Sequence, residues 1–408
     1  MTETDDAELR RELGLVTATV YGVGLILGAG IYAILGEAVG ITGESIGLSF
    51  VLAAVIASFT GLSYAELCSR FPKEEADYVY VLEAFDRKRL SEFTAIGRVF
   101  VGVISAAAVA LAFGGYLDAV VDVPAVPTAF ALVVAMAAVN YLGIDLSAKL
   151  NVIFTSIEVA GLLAVIWIGG GDIASVDWLQ LPRGGIGVLH AAFLVFFAYL
   201  GFGSIVNISE ETRDATVTIP RAILLSIGIT TVLYALVGLA AVGVVDWQAL
   251  GGSDSPLALV ARTGIGPWAA TAIAGVALFS TTNTVLILQV STSRLVYGVS
   301  KEEYGSLPAA FSRIHPERQT PYLAVALVGA ITLPFVVIGD IGAVAGLANA
   351  VLLVVFTMIN AALLRLRWTG RPHDGFRAPL NVGRVSLTAL AGLLTSIGLL
   401  VFYLLRVV

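Results

Sequence analysis

LGLVTATVYGVGLILGAGIYAILG, residues 13–36, runs without a charged side chain over a length that crosses a bilayer. A hydrocarbon core about 30 Å thick needs roughly 20 apolar residues in helical form. The run also carries Gly22, Gly24 and, just past its centre, Gly28-Ala29-Gly30. A membrane helix tolerates one glycine, but a cluster at its midpoint points to a break.

Similar runs recur outward from this one, at residues 45–65, 99–117, 123–144, 150–171, 184–209, 222–245, 263–293, 319–339, 341–364 and 385–405. The run at 99–117 is slightly short but sits between polar flanks, and that at 150–171 is interrupted once, by Glu158. The expectation is an all-α polytopic membrane protein of eleven transmembrane helices. Composition agrees. Of 408 residues, 58% are hydrophobic and 13% charged, with a mean hydropathy of +0.93, whereas a soluble domain carries about a quarter charged residues.

Twenty of the 23 lysines and arginines fall on one set of alternate loops, from Arg10 to Arg384; only Arg183, Arg262 and Arg406 fall on the other. The excess of basic residues places the N-terminus in the cytoplasm, and eleven crossings place the C-terminus outside, in the cell membrane. The expected organisation is a cytoplasmic tail at 1–13, a first repeat at 14–171, a second at 186–364 and an additional helix at 383–407. Residues 75–89 are amphipathic rather than spanning, and 301–314 form a second short candidate helix.

Several function classes are disfavoured. Cys68 is the only cysteine, so no intramolecular disulfide forms. His190, His315 and His373 are far apart, without metal-ligand spacing; no metal or cofactor is expected. There is no Ser/His/Asp arrangement, no HExxH and no phosphate-binding glycine loop, so the chain does not read as an enzyme. A net charge of −7 and a pI near 5.1 argue against nucleic-acid partners.

The sixth run carries a second glycine cluster, Gly201-Phe202-Gly203-Ser204. If the chain is two five-helix repeats, helices one and six are equivalent. Interruptions at corresponding places in two halves point to a transporter binding site. Opened backbone at membrane depth must find partners, at several kcal/mol per orphaned group, and a zwitterion offers both kinds. Backbone N–H groups near Gly28, Ala29, Gly30 and Ile31 suit a carboxylate. Carbonyls near Phe197, Ala198 and Leu200 suit an ammonium. The competing reading is that the glycines only let helices pack closely.

Glu158 lies about ten residues past Lys149, the inner end of helix five. At about 1.5 Å per residue that is roughly 15 Å, the middle of the membrane. A carboxylate there is costly unless paired, hydrated or protonated. It is a candidate proton-titrating or cation-binding group, with expected neighbours in the carbonyls of Val23 and Ile26 and in Ser280, Thr281 or Thr282. The alternative is a protonated glutamate that staples helices by a hydrogen bond. Glu66, Glu210, Glu211 and Arg221 are candidates for an ion-paired gate at the inner mouth, where weak pairs of roughly 0–1 kcal/mol give sufficient bias.

The motif Gly28-Ala29-Gly30-Ile31-Tyr32 resembles the first-helix signature of the amino acid–polyamine–organocation superfamily. Further resemblance lies in Tyr64-Ala65-Glu66-Leu67 with Arg70-Phe71-Pro72, and in the stretch from Phe196 to Gly203. Glu210-Glu211 with Ile219-Pro220-Arg221 follow in order, then Ser293-Arg294-Leu295-Val296-Tyr297, Leu307-Pro308, His315-Pro316 and Thr320-Pro321. The resemblance implies the leucine-transporter fold, a five-plus-five inverted repeat with helices one and six broken. It implies alternating access, an amino acid bound between helices one, three, six and eight, and Phe197 as an aromatic gate. The chain departs from the family pattern at Glu74-Glu75, where glycines are frequent, at Gly203, where many relatives carry glutamate, and in stopping at eleven helices rather than twelve. The expected function is secondary active transport of an amino acid, driven by protons or by exchange. The rivals are a sodium-coupled symporter and a non-transporting amino-acid sensor.

Overall fold

The computed structural model describes residues 13–72, 76–142, 148–208, 212–301, 307–318, 320–371 and 373–407, with backbone alone at 148–154, 207 and 407. The first crossing consists of two helices, α1 (Leu15–Leu27) and α2 (Gly30–Thr42). The second is α3 (Ile46–Arg70). The short helix α4 (Ala76–Phe85) follows, at about 15 Å half a membrane thickness. It buries Ala76, Tyr78, Tyr80, Val81 and Ala84. The third to fifth crossings are α5 (Lys88–Val121), α6 (Ala125–Leu142) and α7 (Ala148–Gly169).

The sixth crossing begins as α8 (Gly184–Val195) and continues as a 3-10 helix over Phe196–Ile208. The seventh is α9 (Ala215–Val244). Two short helices, α10 (Trp247–Gly251) and α11 (Pro256–Gly264), connect it to α12 (Pro267–Val299). The last three crossings are α13 (Tyr322–Val336), α14 (Ile341–Trp368) and α15 (Leu387–Val407). Among the described residues eight helical stretches are long and apolar enough to cross a membrane, Gly30–Arg70 counted as one, and Leu15–Leu27, Thr155–Gly169 and Tyr322–Val336 are shorter apolar helices. With α1 and α2 taken as one crossing and α3 as the next, the order of elements matches the eleven apolar runs of the sequence. Each set of five opens on an interrupted helix.

Several helices outrun their apolar segments. α5 starts at Lys88, well before the run at residue 99, and α9 starts at Ala215 rather than 222. Backbone hydrogen bonding continues where side chains turn polar, and hydropathy registers only the embedded part. The segment between α9 and α12 is not a plain loop. α10 packs on α2, where a Cβ at Gly40 would meet Gly251 Cα at 3.0 Å. Within 301–314, residues 302–306 lie outside the described ones, and Ala309–Ser312 form a single 3-10 turn.

The core sits where α3, α5, α9, α12 and α14 surround the two interrupted helices. α15 packs on α14 and α3, and its Tyr403 stacks on Phe193 with ring centroids 4.7 Å apart. Large apolar side chains on the outer faces are exposed, including Val16, Leu163, Ile229 and Val232. An apolar exterior around a packed interior is what a multi-pass membrane protein presents to lipid.

Candidate substrate site

The first break follows from Gly28, whose ψ of −171° turns the chain out of the helix before Ala29 re-enters it at φ −69° and ψ 4°. The freed N–H of Ala29 donates to Thr284 Oγ1 of α12 at 3.0 Å. On the other side of the break, the Tyr234 hydroxyl of α9 lies 2.8 Å from Ile26 O and 3.1 Å from Leu27 O. The same hydroxyl is 3.3 Å from Ala198 O, in the second interrupted helix. That helix changes from α to 3-10 geometry at Phe196 and stays so for 13 residues. Such runs rarely exceed about 4 residues, and a long one in mid-helix marks a hinge or strain.

The two interrupted helices cross almost in backbone contact. A Cβ at Gly30 would lie 2.8 Å from Ala198 Cα, and one at Gly201 only 2.1 Å from Leu25 O. Backbone cannot swing aside as a flexible side chain does. Close packing and helix breaking are therefore served by the same glycine clusters.

Between the breaks lies a cavity of about 290 Å³. Gly28, Ala29 and Gly30 line it from one side, and Phe197, Ala198, Leu200 and Gly201 from the other. α5 contributes Arg98, Val101, Gly102, Ser105 and Val109, spaced as one helical face, and α12 contributes Asn283, Thr284, Ile287 and Leu288. Ile31 is fully buried and is not part of the wall.

Glu158 is in the wall, with 2% of its surface exposed. Ser280 donates a hydrogen bond of 2.8 Å to its Oε1, and Tyr32 donates to its main-chain oxygen at 3.3 Å. Ile26 shares the cavity wall. Thr281 instead donates to Ala277 O on its own helix at 2.7 Å, and Thr282 does likewise to Leu278 O. Val23 lines a separate crevice with Thr19, Thr155 and Val159.

The inner charges are arranged differently from the sequence expectation. Glu66 is fully buried, but its partners are Arg70 of its own helix and Arg367 of α14. It also accepts from the N–H of Ala378 at 2.8 Å. Glu66 thus anchors the connection between α14 and α15 and is not in the cavity wall. Arg221 is exposed on α9, and Glu210 and Glu211 lie outside the described residues. The charged pair that does line the cavity is Arg98 with Asp77, Nε to Oδ2 at 3.5 Å. Tyr64 donates to Asp77 Oδ1 at 2.5 Å, and Arg98 Nη2 donates to Ser204 Oγ at 3.0 Å. This cluster joins α3, α4, α5 and the 3-10 segment. Its one sequence signal is that Arg98 opens an apolar run.

Residues 13–407 match the family described as amino acid permease. An uncharacterized transporter of Mycobacterium tuberculosis is 35% identical over 375 residues, 90% of this chain and 83% of the relative. A branched-chain amino acid permease of Bacillus subtilis is 27% identical over 384 residues, covering 89% and 82%. A methylthioribose transporter of the same bacterium is 27% identical over 402 residues, covering 93% and 86%. All three are named as transporters or permeases. With a match along nearly its whole length, on a helical bundle with two interrupted crossings, the chain belongs to the amino acid permease family of the amino acid–polyamine–organocation superfamily.

Proposed function

We propose that the protein is a secondary active transporter that carries a neutral amino acid across the cell membrane by alternating access, coupled to protons through Glu158. The observation that supports this reading is that one interruption from each five-helix set opens onto one cavity of about 290 Å³. The substrate carboxylate sits at the start of α2, against the backbone at Gly28 and Gly30 in the cavity wall, where the helix dipole favours negative charge. The Ala29 N–H, already held by Thr284, fixes the geometry of that turn. The ammonium faces the carbonyls of Phe197, Ala198 and Leu200. Phe197, 3% exposed in the cavity wall, closes over the substrate.

Glu158 is the coupling group: it is buried in the cavity wall, and Ser280 orients its carboxyl. A proton taken up there changes the charge inside the bundle, where each charge state favours a different arrangement of the broken helices. The Arg98–Asp77 pair stands at the end of the cavity nearer the N-terminal ends of α4 and α5 and takes the inner-gate role. Orientation follows the basic loops, with the N-terminus cytoplasmic and the C-terminus outside.

Counterflow tests the transport reading. Proteoliposomes are loaded with unlabelled neutral amino acids, and labelled amino acid is supplied outside. Transient internal accumulation above the external concentration supports a carrier. Absence of accumulation for every amino acid, with protein shown to be folded, overturns it in favour of a sensor.

A further inference from the structure

Two side chains in the cavity wall are polar, buried and without partners. Ser105 is 1% exposed and Asn283 is 9% exposed. Ser105 Oγ and Asn283 Oδ1 make no hydrogen bond. Buried hydroxyls on Thr19, Tyr80 and Ser91 also lack a hydrogen-bond partner but lie outside the cavity wall, while others bond their own helix. Thr230 bonds the carbonyl four residues back at 2.7 Å, as do Thr281 and Thr282. The Ser105 hydroxyl makes no such bond, although Val101 stands at the same offset. Buried amides also find partners elsewhere: Asn360 bonds Thr60 at 2.9 Å and accepts from Ser63 at 2.7 Å. Other unpartnered atoms, on Thr19, Gln289 and Asn349, lie outside the cavity wall. The remaining one in the wall, Arg98 Nη1, belongs to a guanidinium already paired with Asp77 and Ser204.

An orphaned polar atom costs about 1–3 kcal/mol unless something satisfies it. Asn283 adjoins Thr284, whose hydroxyl holds Ala29, so its amide lies at the depth of the helix break. Ser105 stands one turn from Val109 on the facing wall. Resting on the transport reading above, we infer that Ser105 and Asn283 form a side-chain subsite selecting neutral amino acids with a hydroxyl or carboxamide. Asn283 Oδ1 accepts from the substrate's O–H or N–H, and Ser105 donates or accepts. Of the two acids in the wall, Asp77 is already paired with a cation, Arg98. Glu158 is held by Ser280, and Asp77 by Arg98 and Tyr64.

Shape-matched competitors test the inference. Proteoliposome counterflow is run with labelled threonine and with labelled valine, competed by threonine against valine and by asparagine against leucine. A subsite built to hydrogen-bond a side chain rejects the analogue that lacks the group. Threonine and asparagine are expected to compete at least about tenfold better than their apolar partners. Ser105→Ala and Asn283→Leu each shrink that ratio. The ratio is internal to each preparation, so a loss of folded protein cannot imitate the effect. Thermal stabilisation of detergent-purified protein by threonine, but not valine, gives the same readout without transport. Equal competition within the pairs, or variants with an unchanged ratio, overturns the subsite while leaving the carrier intact. No uptake and no stabilisation by any amino acid overturns the transport reading and the subsite with it.

Discussion

The hydroxyl of Tyr234 lies 2.8 Å from the carbonyl oxygen of Ile26, across 208 residues of sequence, and 3.3 Å from that of Ala198. One side chain of the seventh crossing therefore serves carbonyls exposed by both interrupted helices. A hydroxyl donates to one acceptor at a time, so it can pass between the two breaks as they move relative to one another. Tyr234→Phe keeps the packing of the fully buried ring and removes only this donor. The expected loss is about 1–3 kcal/mol of stability, with a transport maximum reduced about tenfold, the effect of roughly 1.4 kcal/mol on a barrier. Initial-rate uptake and thermal unfolding in detergent measure both. An unchanged transport maximum would show that the hydroxyl does not couple the breaks.

The crossing of the two broken helices predicts sharp intolerance to a single methyl group. Gly201→Ala places a Cβ against Leu25 O and Gly30→Ala places one against Ala198 Cα, at 2.1 Å and 2.8 Å before relaxation. Both variants should lose transport outright, because overpacked backbone must shift. Gly275→Ala on α12 is the comparison: nothing lies within 4 Å of its Cβ, and stability should stay within about 0.5 kcal/mol of wild type. Uptake normalised to folded protein decides the matter.

Glu66 is predicted to be an anchor. Glu66→Ala leaves Arg70 and Arg367 buried without their counter-charge, a change worth about 3–5 kcal/mol when one partner of a buried pair is removed. Thermal stability should fall steeply, while uptake per folded molecule is retained. A gate would behave in the opposite manner, with altered rates and a nearly unchanged melting point.

What the sequence disclosed, and what it hid, follows from the range of each interaction. Membrane spans are set by local composition, so eleven crossings and both interruptions were legible in runs of apolar residues and glycine clusters. Glu158 was legible because a lone acid in an apolar run is conspicuous, and its Ser280 partner because both sit at mid-helix. Tyr234 was not, since a tyrosine in an apolar helix looks the same whether its hydroxyl meets a carbonyl or a headgroup. The pairing of Glu66 with Arg367 spans 301 residues, and the 3.5 Å contact of Arg98 with Asp77 brings together two helices, α5 and α4. No local pattern chooses between those partners and Arg221. The length of α5 was hidden because its first turns are polar.

The proposed coupling role of Glu158 is tested most directly by gradient-driven uptake. Labelled amino acid uptake is measured in proteoliposomes holding wild type or Glu158→Gln, under an inward proton gradient, an inward sodium gradient, or neither. The expected result is accumulation above equilibrium by wild type under the proton gradient alone, with Glu158→Gln still exchanging amino acid but no longer concentrating it. Accumulation by Glu158→Gln equal to that of wild type, or accumulation driven by sodium, would contradict it.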